Sequence, residues 1–246
     1  MDKLLYVAMS GASQTMLAQA ANNNNLANAS TTGFRADLSA FRAMPVFGPG
    51  APSRVYAMAE RPGTDFSYGS LLATGRDLDV AVKGEGWIAV QGPDGREGYT
   101  RAGDLRISSA GLLENGAGHL VLGNSGPIAI PPAEKIEIGA DGTLSIQPVG
   151  QSATTLAVID RIKLVKPPLE DLVKGSDGLM RMKDDSVLPP DAAVGVSAGS
   201  LEASNVNPVD AMVNMISLAR QFEMQVKMMR TSQENDASAA QILRMG

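Results

Sequence analysis

The sequence predicts an α+β chain. A discontinuous, coiled-coil-like pair of terminal helices brackets an inserted, mostly antiparallel β-domain. Three observations lead there. Apolar residues recur at helical spacing over residues 3–29, and the same spacing returns over residues 208–243. Between them the apolar period falls to two, and Asp-Gly pairs punctuate the run.

In the first segment Leu5, Met9, Ala12, Met16 and Leu26 fall in alternating steps of four and three, with Gln19 and Asn23 as polar members of the series. That is the stripe of an amphipathic helix. Its back is unusual, because no charged residue stands between Lys3 and Arg35. A helix whose back meets only water normally carries charge. Neutral Ser, Thr, Gln and Asn fit a helix touched by protein on several sides.

The last segment opens with Asn207-Pro208-Val209-Asp210. Asn207 is a cap, Pro208 suits the first helical position, and Asp210 places negative charge at the positive end of the helix. A seam follows through Met212, Met215, Ala219, Phe222, Val226 and Met229 and runs on past Gln233 and Asp236 to Ala240 and Leu243. Such a repeat asks for a partner helix, and the N-terminal helix is the obvious one. Met212, Met215, Met224, Met228 and Met229 supply adaptable packing.

The middle reads differently. Pro and Gly punctuate residues 45–63, which therefore read as a loop or extended connector. Short strands are predicted at 78–82, 87–90, 105–107, 120–122, 128–130, 136–138, 144–146 and 162–165, with turns at Asp94-Gly95, Asp141-Gly142 and Asp177-Gly178. The organisation expected is 1–35 with 204–246 as the helical assembly domain, 36–75 as connector, and 76–203 as the β-rich domain.

Composition narrows the function. The 246 residues carry a net charge of −5 with no Cys and one His, and are 44% hydrophobic but only 4% aromatic. Mild acidity argues against a phosphate backbone as partner. Absent Cys removes disulfides, thiolate metal sites and thiol nucleophiles. His119 has no second His or Cys to complete a zinc site. Asp77 and Asp79 would share one side of a strand, but Arg76 is adjacent and no aromatic sugar platform accompanies them. The paired glycines at 84/86 and 116/118 do not continue as phosphate-binding fingerprints. The expectation is a non-enzyme with no cofactor, no metal and no small-molecule substrate. No segment approaches 18 apolar residues, so no spanning helix is expected. Residues 3–9 are too short for a signal-peptide core and run into Ser10, Ser13, Gln14 and Thr15. Export by a route without a cleaved Sec signal is the expectation.

The run Asn25-Leu26-Ala27-Asn28-Ala29-Ser30-Thr31-Thr32-Gly33-Phe34-Arg35 resembles the signature of the bacterial flagellar rod and hook proteins. Thr74 to Trp87, Gly98-Tyr99-Thr100-Arg101-Ala102-Gly103 and Ser204-Asn205-Val206-Asn207-Pro208 match the same family in order and spacing. The Ala-Ser-Gln-Thr run at 12–15, Gly86-Trp87 and the run from Arg220 to Lys227 look most like a proximal-rod member. A distal-rod or hook subunit is the alternative within the family. A cell-wall glycan enzyme and a β-rich adhesin are the alternatives outside it.

The resemblance implies that the terminal helices pair and stack with those of other rod subunits into the inner wall of a hollow, torque-transmitting tube, with the β-domain facing outward. It implies export by the flagellar type III apparatus and a place in the periplasm-spanning basal body, with no nucleic acid and no membrane insertion. The expected assembly residues are Leu5, Met9, Ala12, Met16, Asn25, Leu26, Asn28, Thr31, Gly33, Phe34, Met212, Met215, Ala219, Phe222, Val226 and Met229. Gly33 is expected to supply a positive φ after the first helix, and Phe34 to anchor the turn. Thin seams bury little, so the helices are expected to be partly disordered before assembly.

Overall fold

The computed structural model describes residues 4–45, 55–150 and 156–245. The chain forms two compact units. One draws on Met1–Ala29, Ala36–Asp65 and Val206–Gly246, the other on Ser30–Arg35 and Phe66–Asn205. Helices α1 (Leu4–Ala27) and α2 (Pro208–Met245) lie in the first. So do strands β1 (Asp37–Pro45) and β2 (Val55–Thr64). The second holds β3 (Leu71–Ala73), β4 (Val80–Lys83), β5 (Trp87–Gln91), β6 (Glu97–Thr100), β7 (Leu105–Ile107), β8 (Leu113–Asn115) and β9 (Leu120–Val121). It continues with β10 (Ala133–Ile138), β11 (Thr143–Pro148), β12 (Ala157–Arg161), β13 (Leu164–Val165), β14 (Leu172–Lys174), β15 (Met180–Met182), β16 (Gly195–Ala198) and β17 (Ser200–Glu202). The class is α+β, and every strand pair described is antiparallel.

In the helical unit α2 starts as its sequence dictates. Asn207 Oδ1 accepts from the Val209 N–H at 3.0 Å, and its amide donates to Asp210 at 2.7 Å. The 38 residues of α2 span about 57 Å at 1.5 Å per residue. The helices run antiparallel: Asn22 donates to the Ala211 carbonyl at 2.8 Å, and a Cβ on Gly11 would meet the Gln225 side chain at 2.6 Å. This register carries Leu4 to the level of Ser232, and residues 233–242 beyond it are all exposed.

The face α1 turns inward is made of small residues. Ala8, Gly11, Ala12, Thr15 and Ala18 are buried. On α2 Ala211 and Ser232 are buried, and Met215, Leu218, Phe222, Gln225 and Met229 between them are half-buried. Small side chains set a short interaxial distance. The stripe marked in the sequence by large residues is therefore rotated from the pairing face. Its members Ala12, Gln19 and Leu26 sit on the inner side, whereas Leu5, Met9, Met16 and Asn23 are exposed.

Residues 36–65 also differ from expectation. Within the connector expected over 36–75 they contain an antiparallel ribbon, pairing Asp37 with Thr64 through to Pro45 with Val55, with an irregularity between Leu38 and Ala40. The ribbon packs on α1. Its start is fixed by Asn25, whose amide donates to the Asp37 carbonyl and accepts from the Asp37 N–H, both at 2.8 Å. Much of the predicted Pro/Gly punctuation, residues 46–54, lies outside the described residues. The pairing on either side has no local signal.

In the β unit eight strands form one sheet in the order β14-β15-β6-β5-β9-β8-β7, with β13 also paired to β5. The pairs β4–β16 and β3–β17 and the three strands β10-β11-β12 complete it. The predicted Asp-Gly turns connect β5 to β6, β10 to β11 and β14 to β15. Strand β5 is central and buried on both faces. Ile88 and Val90 enter a core with Leu105, Leu113, Val121 and Leu144, while Trp87 and Ala89 enter a second with Tyr99, Val165 and Met180. Tyr99 is 1% exposed, its hydroxyl oxygen accepts from the Leu188 N–H at 3.1 Å, and burial pushes its phenol up to about 12. The predicted strand 128–130 makes only an isolated bridge, Ala129 to Leu112.

The small-residue face makes a specific demand. Ala18→Leu should overpack the helix pair and destabilise it by about 1–3 kcal/mol. Leu17→Ala, at an exposed neighbouring position, should stay within about 0.5 kcal/mol. Helical circular dichroism followed through thermal unfolding measures both.

Candidate assembly interface

The outer faces of the helical unit are apolar and large. On α1 Leu5, Tyr6, Met9, Met16 and Leu17 are exposed, with Met9 at 54% and Met16 at 58%. On α2 Val209, Met212, Val213, Ile216, Met224 and Met228 are exposed. Because α1 carries no charge along Leu4–Ala27, its part of this surface is neutral as well as apolar, whereas α2 also exposes Arg220, Glu223, Lys227 and Arg230. Exposed patches of this kind mark binding surfaces rather than solvated faces. Of the residues expected to carry assembly, Leu5, Met9, Met16 and Met212 stand on this outer surface. Ala12 is buried on the pairing face, and Met215, Ala219, Phe222, Val226 and Met229 are half-buried. Tyr6, Leu17, Val213 and Ile216 were not legible from the main periodicity, and on α1 their signal was the absence of charge around them. Met224 and Met228, marked in the sequence for adaptable packing, are exposed.

The signature segment divides between the units. Asn25, Leu26 and Asn28 close α1. Ala29 donates to the Leu26 carbonyl at 3.2 Å, and Asn28 donates to Asn24. Thr31, Gly33 and Phe34 belong with the β unit. Thr31 is exposed, and its carbonyl accepts from the Phe34 N–H. Gly33 adopts φ +67° and is buried. A Cβ there would stand 2.2 Å from the Arg101 backbone carbon, so both conformation and space exclude a side chain. Phe34 is half-buried beneath the Lys174 ammonium, 3.8 Å from its ring centre, and Lys174 also donates to the Arg35 carbonyl at 2.7 Å.

This segment lies beside the stretch that leads into α2. The Gly33 N–H donates to the Glu202 carbonyl at 2.8 Å, and the Asn205 N–H donates to the Phe34 carbonyl at 3.3 Å. Between them sits a buried charge cluster. Arg35 and Arg101 hold opposite oxygens of Glu202 at 2.5 and 3.0 Å, and all three side chains are 2–3% exposed. The Gly69 N–H donates to Glu202, and Arg101 donates to the Val82 and Gly84 carbonyls. Both guanidinium groups stand over Trp87, at 5.9 and 5.4 Å from its ring centre. Arg101 reaches this place because Gly103 lets the chain pass Val80 closely: a Cβ on Gly103 would fall 1.8 Å from the Val80 oxygen. Sequence reasoning passed over the cluster, although Arg35 ends the uncharged stretch and so announced itself.

The residues weighed for chemistry do not converge. Asp77 lies exposed in a turn, whereas Asp79 is buried in a bridge opposite Asp104. Burial, with the charge of Asp79 adding to it, raises the Asp104 carboxyl above its ordinary value. His119 is half-buried, and its N–H donates to Asn115 at 2.9 Å. Among the described residues no three His, Cys, Asp or Glu side chains come together as a metal cluster, and no helix is long and apolar enough to cross a membrane.

Paired terminal helices, an inserted antiparallel β unit and an apolar outer helical surface define an axial filament subunit, and family comparison agrees. Residues 5–35 match the flagella basal body rod protein family, 81–146 the flagellar hook protein FlgE/F/G D1 domain, and 197–242 the flagellar basal body rod FlgEFG protein C-terminal family. The chain belongs to the flagellar rod and hook family. Over its whole length it is 45% identical to all of the flagellar basal-body rod protein FlgF of Escherichia coli K12, and 44% identical to that of Salmonella typhimurium. It is 31% identical to the flagellar basal-body rod protein FlgG of Bacillus subtilis, with 95% of this chain and 96% of that one covered.

Breaking a buried ion cluster by removing one partner leaves uncompensated charge and costs about 3–5 kcal/mol. Glu202→Gln should therefore lower the stability of the β unit by that amount. Denaturant unfolding followed by the fluorescence of Trp87 measures it, and a loss below 1 kcal/mol would show that the cluster is not a structural tie.

Proposed function

We propose that this chain is a structural, non-catalytic subunit of the flagellar basal-body rod, in its proximal part. Its outer helical faces pack on neighbouring rod subunits to build the wall of a hollow shaft that transmits torque. The single observation that carries this reading is the neutral, apolar outer surface of α1, continued on α2 by Met212, Val213 and Ile216. A free helix pair leaves that surface in water; a tube of stacked helices removes it at about 25 cal/mol per Å² of apolar area. The exposed end of α2 beyond Ser232 has the same logic, since it extends past its own partner and offers helix to a neighbour.

The signature residues take separate roles. Asn25 fixes the ribbon on the end of α1, Asn28 closes the helix, and Gly33 and Phe34 set the path of the chain into the β unit. That unit adds lateral contacts on the outside of the shaft. The subunit reaches its place unfolded, by the flagellar type III apparatus; the missing Cys suits passage between compartments of different redox poise.

Met9→Glu combined with Met16→Glu tests the reading. Both sites are exposed in the single chain, so its unfolding should shift by no more than about 0.5 kcal/mol. Swimming in soft agar should be lost, and the variant should be missing from purified basal bodies. Normal swimming with normal incorporation would remove this surface from the interface.

A further inference from the structure

The buried cluster of the β unit holds more guanidinium than carboxylate. Arg35 and Arg101 share one acid, Glu202, and Arg101 Nε has no hydrogen-bond acceptor although the residue is 3% exposed. Arg35 Nε and Nη1 also have no acceptor, and Arg35 stands over Trp87. Arg101 lines a cavity of about 370 Å³. Its walls include the rings of Phe66, Tyr68 and Trp87, with Pro168 and Lys166 at the mouth. Phe66 meets Trp87 edge to face at 6.2 Å, and Arg101 lies 5.0 Å from the centre of Tyr68. Lys166 is paired with Glu85 at 3.0 Å, so the mouth adds no net charge, whereas the buried cluster to which Arg101 belongs carries an excess of one positive charge.

A cavity with aromatic walls and a guanidinium in its lining recognises an anion on an apolar carrier. The guanidinium supplies charge-assisted hydrogen bonds, and the rings bury the carrier. We propose that this cavity receives a carboxylate side chain, Glu or Asp flanked by an apolar residue, presented by a neighbouring rod subunit. Charge complementarity selects that occupant. The chain has 26 Asp and Glu against 21 Lys and Arg, so a neighbour of the same composition brings carboxylates in excess. The source of the carboxylate rests on the assembly reading above; the site itself does not, because it is complete within one β unit and can be read on the isolated chain.

Trp87 is the only tryptophan and forms one wall, so its fluorescence reports occupancy directly. The full chain is titrated at constant ionic strength with acetyl-Leu-Glu-Leu-amide, with its Gln counterpart, and with phenylacetate as a free acid. The expected result is a saturable change in Trp87 emission with the Glu peptide and binding at least about tenfold weaker for the Gln peptide. Tyr68→Ala, at a 55% exposed wall position, should weaken the Glu peptide severalfold without changing the unfolding transition. Equal response to the Glu and Gln peptides overturns the anion site. Saturation by phenylacetate but not by the Glu peptide overturns a protein side chain as occupant. No response to any of the three overturns the site altogether, and leaves the helical interface to its own test in swimming cells.

Discussion

The architecture depends on one buried ion cluster. The chain first enters the β unit after α1 and last leaves it before α2, and these two passages are far apart in sequence. Glu202 joins them. Its carboxylate holds Arg35 from one passage and Arg101 from just beyond β6, and its carbonyl accepts from Gly33. Desolvating three charges is expensive, and a hydrophobic replacement of equal volume would serve stability as well or better. A buried ionic cluster offers directionality instead: oxygens and guanidinium nitrogens meet in few geometries, so the two passages are held side by side in one register. For the assembly proposed above, fixing where the chain enters and leaves the β unit matters more than a few kcal/mol of burial.

The helical unit follows a different economy. Its inner face is closed by alanine, glycine and threonine, which contribute little apolar area but permit close approach. Its large residues point away. A helix pair built to be stable alone would place Met9, Met16, Met212 and Ile216 inside. Turning them outward leaves that area free for the contacts between subunits proposed above, which fits membership of a family of axial proteins. Methionine suits such a surface, because its flexible, polarizable side chain adapts to neighbours that are not identical.

Much of this was legible in the chain. The helix start at Asn207-Pro208 is written in local chemistry, and so are the Asp-Gly turns and the left-handed Gly33. The signature from Asn25 to Arg35 carried the family. The rotation of the helix seam was not legible, because periodicity locates apolar stripes without saying whether the partner belongs to the same chain or another. Ala8, Thr15 and Ala18 looked unremarkable beside Met9 and Met16, yet they form the pairing face. The ribbon of β1 and β2 was hidden, since strand pairing is a property of two segments and neither announces it. The cluster was hidden by distance: Arg35 and Glu202 lie 167 residues apart, and only the fold brings them together.

Amide hydrogen exchange, compared between the purified chain and assembled basal bodies, tests the central claim most directly. The two passages, residues 30–35 and 200–205, should exchange as slowly as β5 in the free chain, because the cluster is complete within one β unit. The amides of α1 and α2 should exchange much faster in the free chain and slow on assembly, when their outer faces are covered. Fast exchange at Gly33 and Asn205 in the free chain would contradict the role given to the cluster. Helices as protected alone as in the basal body would contradict an outer surface reserved for neighbouring subunits.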